Sequence, residues 1–184
     1  MASRTHLILR VLTIVGALVL AVCLLALVAK PKVANAAFPG GNGRLALSAY
    51  LDENYHIATI TPGGTDLKKL TQGSFGGSDP AWSPDSKEIA FSRVGPDGPE
   101  IYVMKADGSD QRAITDGPGE DDSWNPTWSP NGEEIAFQRR HVVDDIVVDN
   151  PQIYVISVNG ARERQLTNNT QGSIMPEWSP DGTR

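Results

Sequence analysis

An internal repeat of 44 to 50 residues places the strongest constraint on the fold of this chain. One copy opens at Trp82-Ser83-Pro84-Asp85, continues through Ile89-Ala90-Phe91 and Ile101-Tyr102-Val103-Met104, and closes at Ile114-Thr115. The same series recurs later in the chain, and a weaker copy precedes it. The four copies open at Phe38, Trp82, Trp128 and Trp178.

The spacing within the repeat is more regular than the residue identities. Seven positions separate the opening aromatic residue from the first branched residue in each of three copies, and 14 positions separate a later isoleucine from the closing threonine. Two extra residues lie between Thr115 and Trp128, and six lie between Phe137 and Ile153. Insertions confined to connections are what stacked structural units permit.

Each copy predicts four short strands. The Ser-Pro-Asp-Gly segment favours a tight turn, in which Ser86 replaces the glycine of one copy. A second turn is predicted at Gly63-Gly64, Asp107-Gly108 and Asn159-Gly160, which are dipeptides typical of two-residue hairpins. In Ile89-Ala90-Phe91 the large residues are expected to fill one interface, while the alanine lets a neighbouring sheet approach the other face. The predicted fold is an all-β propeller of four-stranded antiparallel blades.

These residues resemble the repeat of the TolB-type propellers. The resemblance rests on Trp-Ser-Pro-Asp-Gly, Ile-Ala-Phe and Ile-Tyr-Val-Met, and covers the chain from residue 37 onward. It implies a ring of about six to eight blades. The expected blades are 37–71, 79–115, 125–167 and a truncated 175–184. Because Arg184 interrupts a repeat, we expect an N-terminal fragment of a longer protein.

The first 36 residues form a separate predicted segment. Arg4 and Arg10 precede 19 uncharged residues, and Ala34-Asn35-Ala36 follows as a small-x-small site. This pattern predicts a secretory signal cleaved after Ala36. The apolar run is also close to the ~20 residues that span a bilayer, so an uncleaved anchor remains an alternative. Both alternatives predict export to the periplasm, the extracellular space or the outward face of a membrane.

Composition limits the classes of partner. Beyond residue 36 the chain has 12 basic and 22 acidic residues, which argues against a nucleic-acid partner. It also argues against adhesion to an anionic membrane, so that membrane contact is expected only through the N-terminal segment. The single cysteine, Cys23, lies in that segment, so no disulfide or thiolate metal site is predicted beyond it.

Trp124 stands outside the repeat, because the matching positions hold Ser78 and Ile174. Its neighbours Glu120, Asp121 and Asp122 predict an acidic loop tip. Such a tip could bind a cationic partner or a divalent cation, and the alternative is a solvated acidic loop.

The six-residue insertion between His141 and Pro151 could lengthen a hairpin. It would then be either a partner-binding rim or a neutral elaboration of the blade.

No enzyme is predicted. The chain contains no Gly-x-Ser-x-Gly segment, and Ser83, Ser129 and Ser179 each precede a turn proline. We expect no catalytic residue, cofactor or metal. The predicted function is an exported binding or scaffold propeller for a protein or a cell-envelope ligand. The resemblance allows an alternative, the gating propeller of a longer prolyl-oligopeptidase-like hydrolase, and Trp124 leaves a weaker possibility of glycan binding.

Overall fold

A computed structural model describes residues 43–74, 76–95, 98–115, 121–144 and 146–183. The described residues form strands and turns and contain no helix. They therefore include no helix that is long and apolar enough to cross a membrane. The strands form three antiparallel sheets, which correspond to the first three copies of the repeat. The predicted N-terminal signal or anchor and its cleavage site after Ala36 lie outside the described residues, so they remain predictions.

Blade 1 has three described strands in the order β1-β2-β3. Blade 2 has four strands in the order β4-β5-β6-β7. The bounds are β1 Leu45–Leu51, β2 Asn54–Ile60, β3 Lys68–Lys69, β4 Ser78–Trp82, β5 Glu88–Gly95, β6 Gly98–Lys105 and β7 Arg112–Ala113.

Blade 3 contains five strands. Strands β8, β9, β11 and β12 repeat the order of blade 2, and β10 pairs with the far end of β9. The bounds are β8 Asp121–Trp128, β9 Glu134–Val143, β10 Ile146–Val147, β11 Gln152–Ser157 and β12 Glu163–Gln165. The six-residue insertion is therefore a lengthened hairpin, as the sequence suggested.

Two hydrophobic clusters hold the blades face to face. Ile89 and Phe91 of blade 2 are fully buried in a cluster with Ile57 of blade 1. Ala90, between them in sequence, is buried in the other cluster with Phe137 of blade 3. Successive residues of a strand point to opposite faces, so the central strands of blade 2, β5 and β6, contribute to both clusters. The expected division between large residues on one face and alanine on the other is confirmed.

The Trp-Ser-Pro turn forms the same hydrogen bonds in blades 2 and 3. In blade 2 the Ser83 hydroxyl donates to Asp85 and accepts from the backbone nitrogen of Glu88, both within 2.9 Å. Hydrogen bonds from Lys87 first and Ser83 second lower the pKa of Asp85 below its ordinary value. The serines of these turns thus stabilise the hairpin, as predicted.

The closing threonine explains the fixed spacing of 14 residues. Its hydroxyl accepts a hydrogen bond from the backbone nitrogen of an isoleucine in the third strand of the repeat. The three distances are 3.0 Å for Ile57–Thr71, 2.9 Å for Ile101–Thr115 and 2.8 Å for Ile153–Thr167. A change in the spacing would leave a backbone donor of the sheet without this acceptor.

A second hydrogen bond joins the segment that leads into the tryptophan of each later copy to the preceding blade. The residue before the proline of Asp-Pro, Asn-Pro or Met-Pro has a positive φ and donates its backbone nitrogen to a side chain of the neighbouring sheet. The pairs are Asp79–Ser48 at 3.1 Å, Asn125–Ser92 at 3.2 Å and Met175–Gln138 at 3.2 Å. The fourth copy therefore contacts blade 3 in the same way, although its described residues form no strand.

Candidate functional site

The strand directions give the described propeller two distinct ends. The Trp-Ser-Pro turns and the Asp-Gly hairpins lie at one end, which we call the turn end. The hairpins β1–β2, β5–β6 and β9–β10 lie at the other, together with the connections that lead into β4 and β8. We call this the hairpin end, and it is where blade 3 departs from blade 2 by the additional strand β10.

Exposed apolar side chains cluster on the three hairpins of the hairpin end. Tyr50 and Tyr55 are 65% and 60% exposed, and their rings meet edge to face with centroids 5.3 Å apart. Val94 of the second hairpin and Ile146 of the third are also more than half exposed. The third hairpin adds Val143, Val147 and Val148. Apolar side chains on neighbouring projections are a common feature of protein contact surfaces.

The acidic segment around Trp124 is not a loop tip. Asp121, Asp122 and Trp124 belong to strand β8, and this corrects the prediction of a loop. The reason is cross-strand pairing, because Asp121 lies opposite His141 and Asp122 lies opposite Arg140. The opposite charge of Arg140 across from Asp122, together with the His141–Asp121 hydrogen bond, stabilises a strand that acidic residues alone would disfavour. Glu120 lies outside the described residues.

Arg140 joins Asp122 and Trp124 into one polar stack. Its Nε and Nη2 atoms donate to Oδ2 of Asp122 at 2.9 and 2.7 Å. Its guanidinium carbon lies 4.6 Å from the centre of the Trp124 ring, which is a cation–π contact. A Cβ atom at Gly98 would come within 2.9 Å of Oδ1 of Asp122, so this stack lies close against blade 2.

His141 connects Asp121 to the inserted hairpin. Its Nδ1 lies 2.6 Å from Oδ1 of Asp121, and its backbone nitrogen donates to Oδ1 of Asp149 at 2.9 Å. Both acids are thus occupied by internal contacts. Within the described part of the chain, no group of three His, Cys, Asp or Glu side chains could hold a metal ion. The role of Glu120, Asp121, Asp122 and Trp124 in ligand or partner binding stays a prediction.

A small pocket of about 240 Å³ opens at the hairpin end between blades 1 and 2. Trp124 reaches its wall from blade 3, and Tyr55 and Arg93 also line it. The remaining described lining residues are small or uncharged: Asn54, Ser74, Gly76, Gly77, Ser78, Ser92, Val94 and Pro99. No carboxylate is among these lining residues.

A larger groove of about 640 Å³ runs along β4, β8 and the matching segment of the fourth copy. The second, third and fourth copies of the repeat each contribute a tryptophan and prolines to it, and the three tryptophans are Trp82, Trp128 and Trp178. Trp128 packs in the cluster between blades 2 and 3, and its Nε1 donates to the Ala81 carbonyl of blade 2 at 3.1 Å. The periodic tryptophans are thus part of the packing between blades, as predicted.

His56 is a buried histidine in strand β2. Burial, with a smaller contribution from the charge of Lys69, lowers the pKa of its imidazole. Its Nδ1 lies 3.3 Å from the Thr71 hydroxyl, which already accepts from the backbone of Ile57. The imidazole is therefore neutral at neutral pH and supports the sheet.

Comparison with known proteins gives structural neighbours only. No family model matches the chain, and no curated protein does. A putative TolB from Agrobacterium tumefaciens is similar with a TM-score of 0.67 and 25% identity over 79% of this chain. TolB from Acinetobacter baumannii is similar with a TM-score of 0.62 and 25% identity over the same share. A chain of the nidogen/laminin complex, 17% identical over 71% of this chain, has a TM-score of 0.53 and shares the fold alone.

The protein is a TolB-like β-propeller. Its all-β architecture agrees with the fold predicted from the repeat. The chain matches 53% of the length of the Agrobacterium protein, 36% of the Acinetobacter protein and 46% of the nidogen/laminin chain.

Proposed function

We propose that this chain is the non-enzymatic binding part of an exported protein, and that its hairpin end contacts a protein or a cell-envelope ligand. The apolar side chains on the three projecting hairpins carry the proposal. Similarity to the TolB propellers supports a binding or scaffold role. Export rests on the charged, apolar and small-x-small pattern of residues 1–36.

The chemistry of the hairpin end indicates the kind of surface that it would meet. Two aromatic rings and several branched side chains offer an apolar contact area, while Glu53 and Asp144 carry negative charge at two hairpin turns. Glu53 and Asp144 form no ion pair with the described residues. A matching partner surface would be apolar at its centre with basic residues at its edge.

Site-specific photo-crosslinking in the native host tests this function. A photoreactive residue at Ile146 or Val94 of the hairpin end is expected to give discrete adducts with envelope components. The control position is Leu67, which is 46% exposed beside the β3 strand at the turn end. Identical adducts from all three positions, or none from the hairpin end, would contradict the proposed role.

A further inference from the structure

Blades 2 and 3 place an arginine at the same position but satisfy it differently. Arg93 and Arg139 each lie 11 residues after the tryptophan of their repeat. Each stacks on the tyrosine of the next strand, with guanidinium carbons 5.4 Å from the Tyr102 ring and 5.1 Å from the Tyr154 ring. Blade 3 therefore shows which hydrogen-bond partners can satisfy an arginine at this position of the repeat.

In blade 3 the arginine is fully paired. The Nε of Arg139 donates to the Ser123 hydroxyl at 3.1 Å, and its two terminal nitrogens donate to the two oxygens of Glu163 at 2.5 and 3.1 Å. The Arg139 side chain is only 6% exposed. A guanidinium and a carboxylate match in this two-bond geometry, which stabilises a partly buried charge.

In blade 2 both partners of the arginine are replaced. Gly77 stands at the position of Ser123, and Gln111 stands at the position of Glu163. Arg93 donates one hydrogen bond, from Nη1 to Oε1 of Gln111 at 3.0 Å. Among the described residues, its Nε and Nη2 find no acceptor, and no carboxylate oxygen lies within ion-pair distance.

Glu100 is the nearest acid along the sheet, because it lies opposite Arg93 in the β5–β6 register. Its carboxylate accepts a hydrogen bond from the Thr115 hydroxyl instead. The corresponding residue of blade 3, Gln152, likewise accepts from the closing Thr167. In both blades the residue at this position accepts a hydrogen bond from the closing threonine. Glu100 therefore does not pair with Arg93 in the way that Glu163 pairs with Arg139.

The missing partners coincide with the 240 Å³ pocket, which both Arg93 and Gly77 line. Gly77 cannot supply a side chain there, because a Cβ atom would come within 2.8 Å of the Phe91 ring. The described lining offers serine hydroxyls, the Asn54 amide and the rings of Tyr55 and Trp124. Its volume is below the ~300 Å³ at which pockets for drug-sized ligands begin, so a small acid fits it better.

We propose that this pocket binds a small carboxylic acid. The carboxylate of the ligand accepts hydrogen bonds from Arg93, as the carboxylate of Glu163 does from Arg139 in blade 3. The aromatic walls then contact the body of the ligand. Binding of a small acid in this pocket does not require that a protein is bound at the hairpin end. An experiment can therefore contradict the acid site and leave the proposed docking role intact, or the reverse.

Calorimetric titration of the full chain with two acids and their neutral counterparts tests the site. N-acetylphenylalanine is compared with its amide, and glucuronate is compared with methyl glucoside. At least one acid is expected to bind about tenfold more tightly than its neutral counterpart, because the charged hydrogen bonds to Arg93 are lost in the latter. Preference for the first or the second acid distinguishes a peptide-like from a sugar-derived ligand.

Two variants connect the binding to Arg93. Arg93→Gln is expected to remove the preference for the acid, while Arg112→Gln, which changes an exposed arginine of the same blade at the turn end, leaves it intact. Gln111→Glu gives blade 2 the internal carboxylate that blade 3 has. It is expected to abolish binding without lowering the melting temperature, so the test does not depend on the folding of Arg93→Gln.

Four results would overturn the proposal. The first is failure of both acids to bind at millimolar concentration, and the second is equal binding of acid and neutral counterpart. The third is unchanged affinity for the acids in Gln111→Glu. The fourth is binding of inorganic phosphate as tightly as either acid, which would contradict the assignment to carboxylates.

Discussion

Ser86 shows how one residue can depart from its repeat at a cost. The matching positions, Gly132 and Gly182, have φ values of 74° and 68°, and Ser86 adopts 61° in the same turn. Its backbone nitrogen still donates to the Ser83 carbonyl at 2.9 Å. A side chain in this left-handed region is strained by its Cβ atom, whereas glycine is not.

Ser86→Gly is therefore expected to raise the free energy of unfolding by roughly 0.5–1 kcal/mol, after the greater flexibility of glycine in the unfolded chain is subtracted. Urea unfolding of the full chain measures the difference. Ser86→Ala keeps the Cβ atom and serves as the control, with no gain expected. Equal gains from both variants would mean that the strain at this turn is not the cause.

His56 makes the stability of the chain dependent on pH. Burial lowers its pKa from the ordinary value of 6.5, so the folded imidazole resists a proton that the unfolded one accepts. The unfolded state then binds more protons just below pH 6.5, and the free energy of unfolding falls as the pH falls through that window. Stability from this residue is fully present above the ordinary pKa.

His56→Gln is expected to flatten this dependence. Unfolding free energies of the native chain and the variant are compared from about pH 7.5 to 5, where the ordinary histidine pKa lies and carboxylates stay ionised. His141 is present in both proteins, so its contribution cancels in the difference between the two slopes. Parallel curves for the two proteins would show that burial of His56 has no such effect.

Within an element, regular spacing turned out to be the most informative sequence signal. The 14-residue interval reflects the bond from the isoleucine nitrogen to the closing threonine, and the seven-residue interval spans the Trp-Ser-Pro turn. Each interval keeps the donor and the acceptor of one hydrogen bond at a fixed separation along the chain. They could therefore be recognised from the sequence before the bond itself was known.

Thr115→Val tests that bond directly. The valine keeps the branched shape but removes the acceptor for the buried nitrogen of Ile101, and an unsatisfied buried donor costs about 1–3 kcal/mol. Thr115→Ser retains the hydroxyl and is expected to lose clearly less stability. Urea unfolding of both variants provides the measurement, and equal losses would argue that the methyl group matters instead of the hydroxyl.

The segment at β8 was mispredicted for a reason that lies in its partner strand. The segment lies where this copy has two extra residues between Thr115 and Trp128, so residues 120–122 indicated a loop. Arg140 lies opposite Asp122 and His141 lies opposite Asp121, 18 and 20 residues later in the chain, and no local signal shows this pairing. The replaced partners of Arg93 were missed for the same reason, because only the contacts of Arg139 show that Ser123 and Glu163 matter at these repeat positions.

At the scale of the whole molecule, contacts between blades decide stability, and two tryptophans offer a matched comparison. Trp128 donates its indole nitrogen to the Ala81 carbonyl of the preceding blade. The indole nitrogen of Trp82 is buried and has no hydrogen-bond partner among the described residues. Both rings pack against the preceding blade, so the two sites differ mainly in that bond.

Replacing each tryptophan by phenylalanine is expected to separate the two effects. Trp128→Phe loses packing area and the hydrogen bond to Ala81, whereas Trp82→Phe loses packing area and no hydrogen bond to the described residues. The first variant should therefore be less stable than the second by about 1 kcal/mol or more in urea unfolding. A larger loss at Trp82 would contradict the assignment of the bond between blades.

The hairpin end distinguishes this molecule from a uniform stack of repeats. It carries the exposed tyrosines, the inserted β9–β10 hairpin and the Arg93 pocket, while the turn end repeats the same short hydrogen-bonded motifs. Insertion and variation at one end of a regular scaffold are typical of a binding surface. This asymmetry underlies both functional proposals.

Cysteine protection tests the asymmetry most directly. In a Cys23→Ser background, a single cysteine replaces either Val94 or Lys87, which lie near opposite ends of strand β5 and are exposed. Both thiols are labelled with a maleimide in the purified chain and in cells of the native host. We predict that labelling at position 94 is slowed in cells and that labelling at position 87 is not. Equal labelling at both positions in cells, or protection of position 87 alone, would contradict a binding surface at the hairpin end.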